Sequence, residues 1–174
     1  MNNLTSLARD TGAPVNVIQH WARANVLHAV KGTGTKAAPR IFDRIETEIA
    51  RVIAPLSRLS VRVEIVREIA SLLRQALVDS HKAQNSEQPG RWTEQILAAR
   101  NGEDYWMVVK GRRFNPEAAE LSCELCFVKP DQVMEELQYT FHSMVRGNVG
   151  LVLPITEPLT RTPSGETPSD WIFT

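Results

Sequence analysis

The sequence has little of several things, and each scarcity removes a class of protein. Only two cysteines occur in 174 residues. That is too few for a disulfide framework and fits a reducing cytoplasm. No apolar run approaches the roughly 20 residues needed to span a bilayer, so no membrane partner is expected. No basic patch followed by an apolar stretch opens the chain, so no secretory signal is expected. There is no Gly-x-x-x-x-Gly-Lys, no Gly-x-Ser-x-Gly and no His-Glu-x-x-His. Their absence removes the signatures of phosphate loops, hydrolase elbows and zinc peptidases. Glu135-Glu136 is an acidic pair with no evident partner base. The expectation is therefore a protein that is not an enzyme, with no cofactor and no metal. Net charge is missing too, with 20 basic side chains against 20 acidic ones.

What is there looks like an ordinary globular chain, 43% hydrophobic and 23% charged. The length suits one domain or two small ones. The zero net charge hides an asymmetry. Residues 1–44 carry six basic and two acidic side chains, a balance of +4; residues 81–174 carry nine and thirteen, a balance of −4. A basic head beside an acidic body suits a DNA-binding domain joined to a regulatory or assembly domain.

The first 45 residues read as a helix-turn-helix followed by a wing. Residues 4–12 predict a short amphipathic helix stopped by Gly12, and Ala13-Pro14 makes the turn. Residues 15–24 follow with apolar side chains at Val15, Ile18 and Trp21 or Ala22, the spacing of one helix face. The opposite face shows Asn16, Gln19, His20 and Arg23, which can bond base edges or phosphates in a major groove. Trp21 is expected to be a core anchor rather than a base-stacking residue. His20 is either a phosphate donor or merely exposed. In residues 28–42, apolar Val30, Ile41 and Phe42 flank a Gly-Thr-Gly-Thr-Lys segment, a β-hairpin or a flexible loop. Lys31, Lys36 and Arg40 lie along it. Directly after a helix-turn-helix, a wing touching phosphates is the favoured reading over a solvated loop.

A helix with Ile45, Ile49, Val52 and Ile53 on one side spans 44–54, and Pro55 ends or kinks it. A second starts near Ser60, a plausible N-cap, and carries an apolar stripe through Ile65, Ile69, Leu72, Leu73, Ala76 and Leu77. Its later part, Leu72 to Val78, either pairs with a second subunit or is buried in the same chain. Polar residues ending in Pro89-Gly90 read as a linker over 81–90. Residues 91–156 look α+β. A short helix runs from Trp92 to Arg100, with strands at 105–109, 121–128 and 149–155. Pro130 opens a further helix with Val133, Met134, Leu137, Phe141 and Met144 facing a core. Residues 157–174 read as a Pro/Thr/Ser-rich tail, disordered or loosely draped. The expected fold class is a mainly α N-terminal winged helix-turn-helix domain, residues 1–80, followed by a small α+β C-terminal domain.

Residues 4–77 resemble the DNA-binding domain of MerR-type transcriptional regulators. The matching stretches are Leu7-Ala8-Arg9-Asp10-Thr11-Gly12, then Ile18-Gln19-His20-Trp21-Ala22. Val26-Leu27 and Arg40-Ile41-Phe42-Asp43 follow, and Leu59 through Ile69 matches the second helix of the family's helix pair. The ordered series carries the resemblance, not any single motif. It implies a homodimer reading a near-palindromic operator in double-stranded DNA, with Asn16, Gln19, His20 and Arg23 as helix contacts and Arg40 as the wing arginine. Lys31 and Lys36 are added on charge alone. Gln19 stands where the family usually has arginine, His20 where it has tyrosine, and Ala22 where it has an acid. The family's metal-sensing cysteines are absent.

Other candidates favour bland readings. Cys123 and Cys126 form a Cys-x-x-Cys, but in a strand positions i and i+3 face opposite ways and a structural zinc site needs four ligands. Lys110-Gly111-Arg112-Arg113 is a solvated turn or a second anionic contact, with the turn favoured. Trp106, Phe127 and Phe141 read as core rather than pocket. The leading expectation is a cytoplasmic, nucleoid-associated regulator of bacterial or phage type, whose C-terminal domain mediates assembly or senses a small-molecule or protein effector. An architectural nucleoprotein of the excision or packaging type is the alternative, and a winged protein-interaction module a third. A short symmetric footprint on DNA favours the regulator; extended cooperative coverage favours the architectural protein.

Overall fold

The computed structural model describes residues 1–32, 38–59, 61–82, 90–111, 123–136 and 150–160. The first helix begins where Asn3 caps it. Asn3 Oδ1 accepts from Ser6 N at 2.9 Å, which satisfies one of the donors that a first turn leaves open. That helix, α1 (Leu4–Thr11), stops at Gly12, whose φ of 69° is left-handed and suits glycine best. Across the Ala13-Pro14 turn, the Pro14 carbonyl accepts from Val17 N and Ile18 N at 3.0 and 3.2 Å. These bonds open α2 (Val15–Arg23). Asp43 caps α3 (Arg44–Ile53) as Asn3 caps α1, accepting from Glu46 N at 2.8 Å. Pro55 then sits in a 3-10 turn, Ala54–Arg58, at the predicted helix end.

The long helix α4 (Val63–Lys82) starts later than predicted, and Ser60 lies outside the described residues. Its first bonds run from Ile65 N and Val66 N to the Arg62 carbonyl. The predicted short helix is α5 (Thr93–Arg100), and Gly102 follows it at a φ of 92°. Two small antiparallel sheets complete the framework. β1 (Asn2–Asn3) pairs with β2 (Ile41–Phe42). β3 (Trp106–Gly111) lies between β4 (Cys123–Val128) and β5 (Gly150–Pro154). The described residues are thus mainly helical, with a small three-stranded antiparallel sheet. No described helix is long and apolar enough to cross a membrane.

One apolar cluster runs without a break from Leu7 in α1 to Leu159 near the end of the described chain. Its late members show one departure from expectation. Residues 156–160 form a helix, α6 (Thr156–Thr160), that buries Leu159 and contacts α3 and α5. The draped tail expected from Glu157 therefore does not begin there, because Leu159 has an apolar surface to join. The stripe on α4 meets a similar answer. Leu73, Ala76 and Leu77 are buried within this chain, where α5 and β4 pack on α4. Of the helix expected after Pro130, the first turn is the 3-10 segment Pro130–Gln132, with Met134 exposed beyond it. Leu137, Phe141 and Met144 lie outside the described residues.

α3 sits at the centre, against α1, α4 and α6. Every residue from 46 to 53 is buried, including Glu46, Glu48 and Arg51. Each of these charges has an opposite charge against it, as burial requires. Arg51 Nε donates to Asp10 Oδ2 of α1 at 2.7 Å, with side chains 4% and 6% exposed. Glu48 accepts from Arg44 Nε at 3.0 Å and from Arg100 Nη2 at 2.6 Å. Glu46 accepts from Arg74 Nε of α4 at 2.5 Å.

Arg100 also lies 3.1 Å from His81 Nε2 and donates to Ser80 Oγ at 3.0 Å. A guanidinium has only donors, so Nε2 must accept and the ring is neutral. Burial lowers the His81 pKa from its ordinary value of 6.5; the Arg100 charge lowers it further, with a smaller one from Arg44, against raising contributions from Glu48 and Asp43. The unfolded chain therefore takes up a proton below pH 6.5 that the folded chain resists. The His81 contribution to stability is complete above that pH and is lost as pH falls below it. Thermal midpoints measured from pH 7.5 to 5 should fall less steeply for His81→Gln than for the parent. Identical slopes would show that His81 is not the titrating group.

Candidate nucleic-acid interface

α2 separates its residues cleanly. Ile18, Trp21 and Ala22 are buried in the common core. Asn16, His20 and Arg23 are exposed, and Gln19 is half-exposed. At 100° per residue these four occupy one arc of the helix, with Gln19 and Arg23 in one i, i+4 row and Asn16 and His20 in the next. Val15 departs from expectation. Assigned by spacing to the apolar face, it is 48% exposed. It is the first residue of the helix, directly after Pro14, and flanks Gln19 one turn on.

The exit from α2 is built with care. Asn25 adopts a left-handed φ of 56°, which asparagine tolerates. Val26 N then reaches back to the Trp21 carbonyl at 2.9 Å. This bond closes the helix over a left-handed residue, and both Trp21 and Val26 are buried at the closure. The next residues are held from α4 and α3. Arg67 Nε donates to the Ala24 carbonyl at 2.8 Å, and Arg74 Nη2 to the Val26 carbonyl at 2.9 Å. Glu46 Oε2 accepts from His28 N at 2.8 Å while bonded to Arg74. Residues 24, 26 and 28 are thus tied down one after another. Phe42 and Leu27 are buried in the same apolar cluster as Ile18 and Trp21.

The two arms of residues 28–42 meet in an antiparallel bridge between Lys31 and Ile41. Val30 N bonds the Ile41 carbonyl at 2.8 Å, and Ile41 N the Lys31 carbonyl at 2.9 Å. Gly32 is needed at this neck. Its φ is 86°, and a Cβ there would stand 1.9 Å from the Pro39 carbonyl oxygen. Lys31 is exposed and Arg40 half-exposed beside the bridge. Lys36 lies outside the described residues. Arg23, Lys31 and Arg40 have no ion-pair partner among the described residues, whereas the arginines inside the fold (Arg51, Arg74, Arg100) are all paired.

The structure therefore puts Asn16, Gln19, His20 and Arg23 on one face of α2, and Lys31 and Arg40 at the bridge between the two arms. Sequence reasoning missed Arg67, which lies exposed at the end of α2, 43 residues away in the chain. A cation there complements the negative end of the helix dipole. No local pattern points to it.

The remaining candidates fall elsewhere. Cys123 and Cys126 are half-buried free thiols on β4, and burial raises both pKa values. Protonated thiols are poor nucleophiles and poor ligands. No group of three His, Cys, Asp or Glu side chains among the described residues could hold a metal. Lys110 forms an ion pair with Glu136; Arg112 and Arg113 lie outside the described residues. Phe127 is buried with its ring edge-on to Trp92, centroids 5.5 Å apart, and Phe141 is outside the described residues. Thr11, Gly12, Arg58, Pro154 and Pro158 border a cavity of about 450 Å³ behind the α1–α2 turn. Comparison with protein-family models and with characterised proteins finds no match.

Proposed function

We propose that this protein is a sequence-specific DNA-binding regulator of MerR-like type, acting as a homodimer. In this reading α1 and α2 are the helix-turn-helix, α2 is the recognition helix, and residues 28–42 are the wing. The observation that carries it is the split of α2. One face is locked into the core through Ile18 and Trp21, and the other offers Asn16, Gln19, His20 and Arg23 to solvent. α2 contains no acid, and the bridged arms that follow it in the chain carry Lys31 and Arg40. Such a face is complementary to a phosphate backbone. The clamp on residues 24–28 supports the same reading, because a recognition helix must be held rigidly relative to its wing.

Selection of bound duplexes from a random pool tests the proposal. An enriched inverted repeat is expected, since a twofold dimer reads two half-sites about one helical turn apart. Retention without enrichment would favour an architectural protein instead. No retention at low salt would overturn DNA binding. On the enriched site, Arg40→Ala should weaken binding to all sequences alike and lower the salt slope by about 1. Gln19→Ala should relax preference at one or two base pairs, at a cost of about 1–3 kcal/mol. Unchanged binding in both variants would put the interface elsewhere.

A further inference from the structure

We infer that the first two turns of α2 read adjacent A·T pairs, with Val15 seated on a thymine methyl. The inference rests on the DNA-binding reading above. In a docked recognition helix the early residues reach base edges and the later ones approach the backbone. The early outward residues here are exposed Val15 and Asn16 and half-exposed Gln19. His20 follows Gln19 directly, the cation Arg23 ends the helix, and Arg67 lies beyond it.

The chemistry of these three residues points one way. An Asn or Gln amide offers one donor and one acceptor side by side, which matches adenine N7 and N6 in the major groove. Guanine presents two acceptors, best met by Arg or Lys, and neither stands in the first turns of α2. Val15 explains itself in the same way. A valine 48% exposed at the start of a helix adds nothing to the core, but it is an apolar surface one turn from Gln19. Thymine alone shows a methyl group in the major groove. The row Val15–Gln19 therefore matches a thymine methyl next to an adenine edge.

The test uses the full chain and the duplex enriched from the random pool. Deoxyuridine is then placed at each thymine of the half-site core, which removes only the C5 methyl. The enriched core should contain adjacent A·T pairs. One deoxyuridine should weaken binding about fourfold, the loss expected for one buried methyl. Val15→Ala should bind the thymine duplex several-fold more weakly and show no further loss with deoxyuridine. Its melting temperature should match the parent's, since Val15 is exposed. Enrichment of G·C at the core would overturn the inference while leaving DNA binding intact. So would a deoxyuridine loss that is the same in Val15→Ala. Absence of any enriched site would overturn both the inference and the sequence-specific reading beneath it.

Discussion

Glu46→Ala should lower stability by about 3–5 kcal/mol, the usual effect of breaking a buried ion pair from one side. For a chain of this size that is a fall in melting temperature of roughly 6–20 °C. The reason lies in what the carboxylate holds. It accepts from Arg74 at 2.5 and 3.0 Å and from His28 N at 2.8 Å. Its loss leaves a guanidinium against the core and a backbone donor without its partner. Glu46→Gln keeps an acceptor for His28 N and should fall between the parent and Glu46→Ala. Replacing both partners with methionine should recover part of the loss, because no lone charge remains, while His28 N still lacks its acceptor. Thermal unfolding followed by circular dichroism settles it. A Glu46→Ala midpoint within 2 °C of the parent would show that the clamp does not form.

The second large effect is at Trp21. Trp21→Ala should destabilise by about 3–5 kcal/mol, from lost burial plus the cavity left beneath α2. Trp21→Phe should cost less than half as much. The pair also separates packing from recognition. Trp21 is buried and its carbonyl accepts from Val26 N, so its role is to fix α2 and the chain leaving it. Trp21→Phe should therefore bind DNA with parental affinity. A large loss of affinity with stability intact would show that the indole itself reaches the nucleic acid.

Much of this could be read locally. Gly12, Pro14 and Pro55 punctuate the helices where their backbone preferences demand it, and the alternation before Val128 marks β4. Burial of Ile18 and Trp21 and exposure of Asn16, His20 and Arg23 follow from helical spacing alone. The charges of α3 were not legible. By periodicity Glu46, Glu48 and Arg51 form the polar side of a surface helix. They are buried because α1, α4 and α6 close around α3, and because Arg74, Arg100 and Asp10 come from far along the chain to meet them. Val15 was misplaced for a related reason. Spacing assigns a residue to a face but does not say where the neighbouring core stops. The clamp on residues 24, 26 and 28 is likewise tertiary, so nothing in the sequence around α2 announces it.

The position of Leu159 bears on the order of events during synthesis. α3 ends at Ile53 and α4 at Lys82. Yet the apolar surfaces they share are covered only when α5, β4 and α6 arrive. A ribosome adding about 5–20 residues per second leaves those surfaces exposed for some seconds. The helices that support the part proposed to touch DNA are therefore translated before the segments that cover them, and α3 is closed over only when Leu159 of α6 is buried. Contacts of such long separation also slow folding. A nascent chain of this kind is most vulnerable to aggregation after α4 is made and before α6 follows, and that is when a chaperone would serve it best.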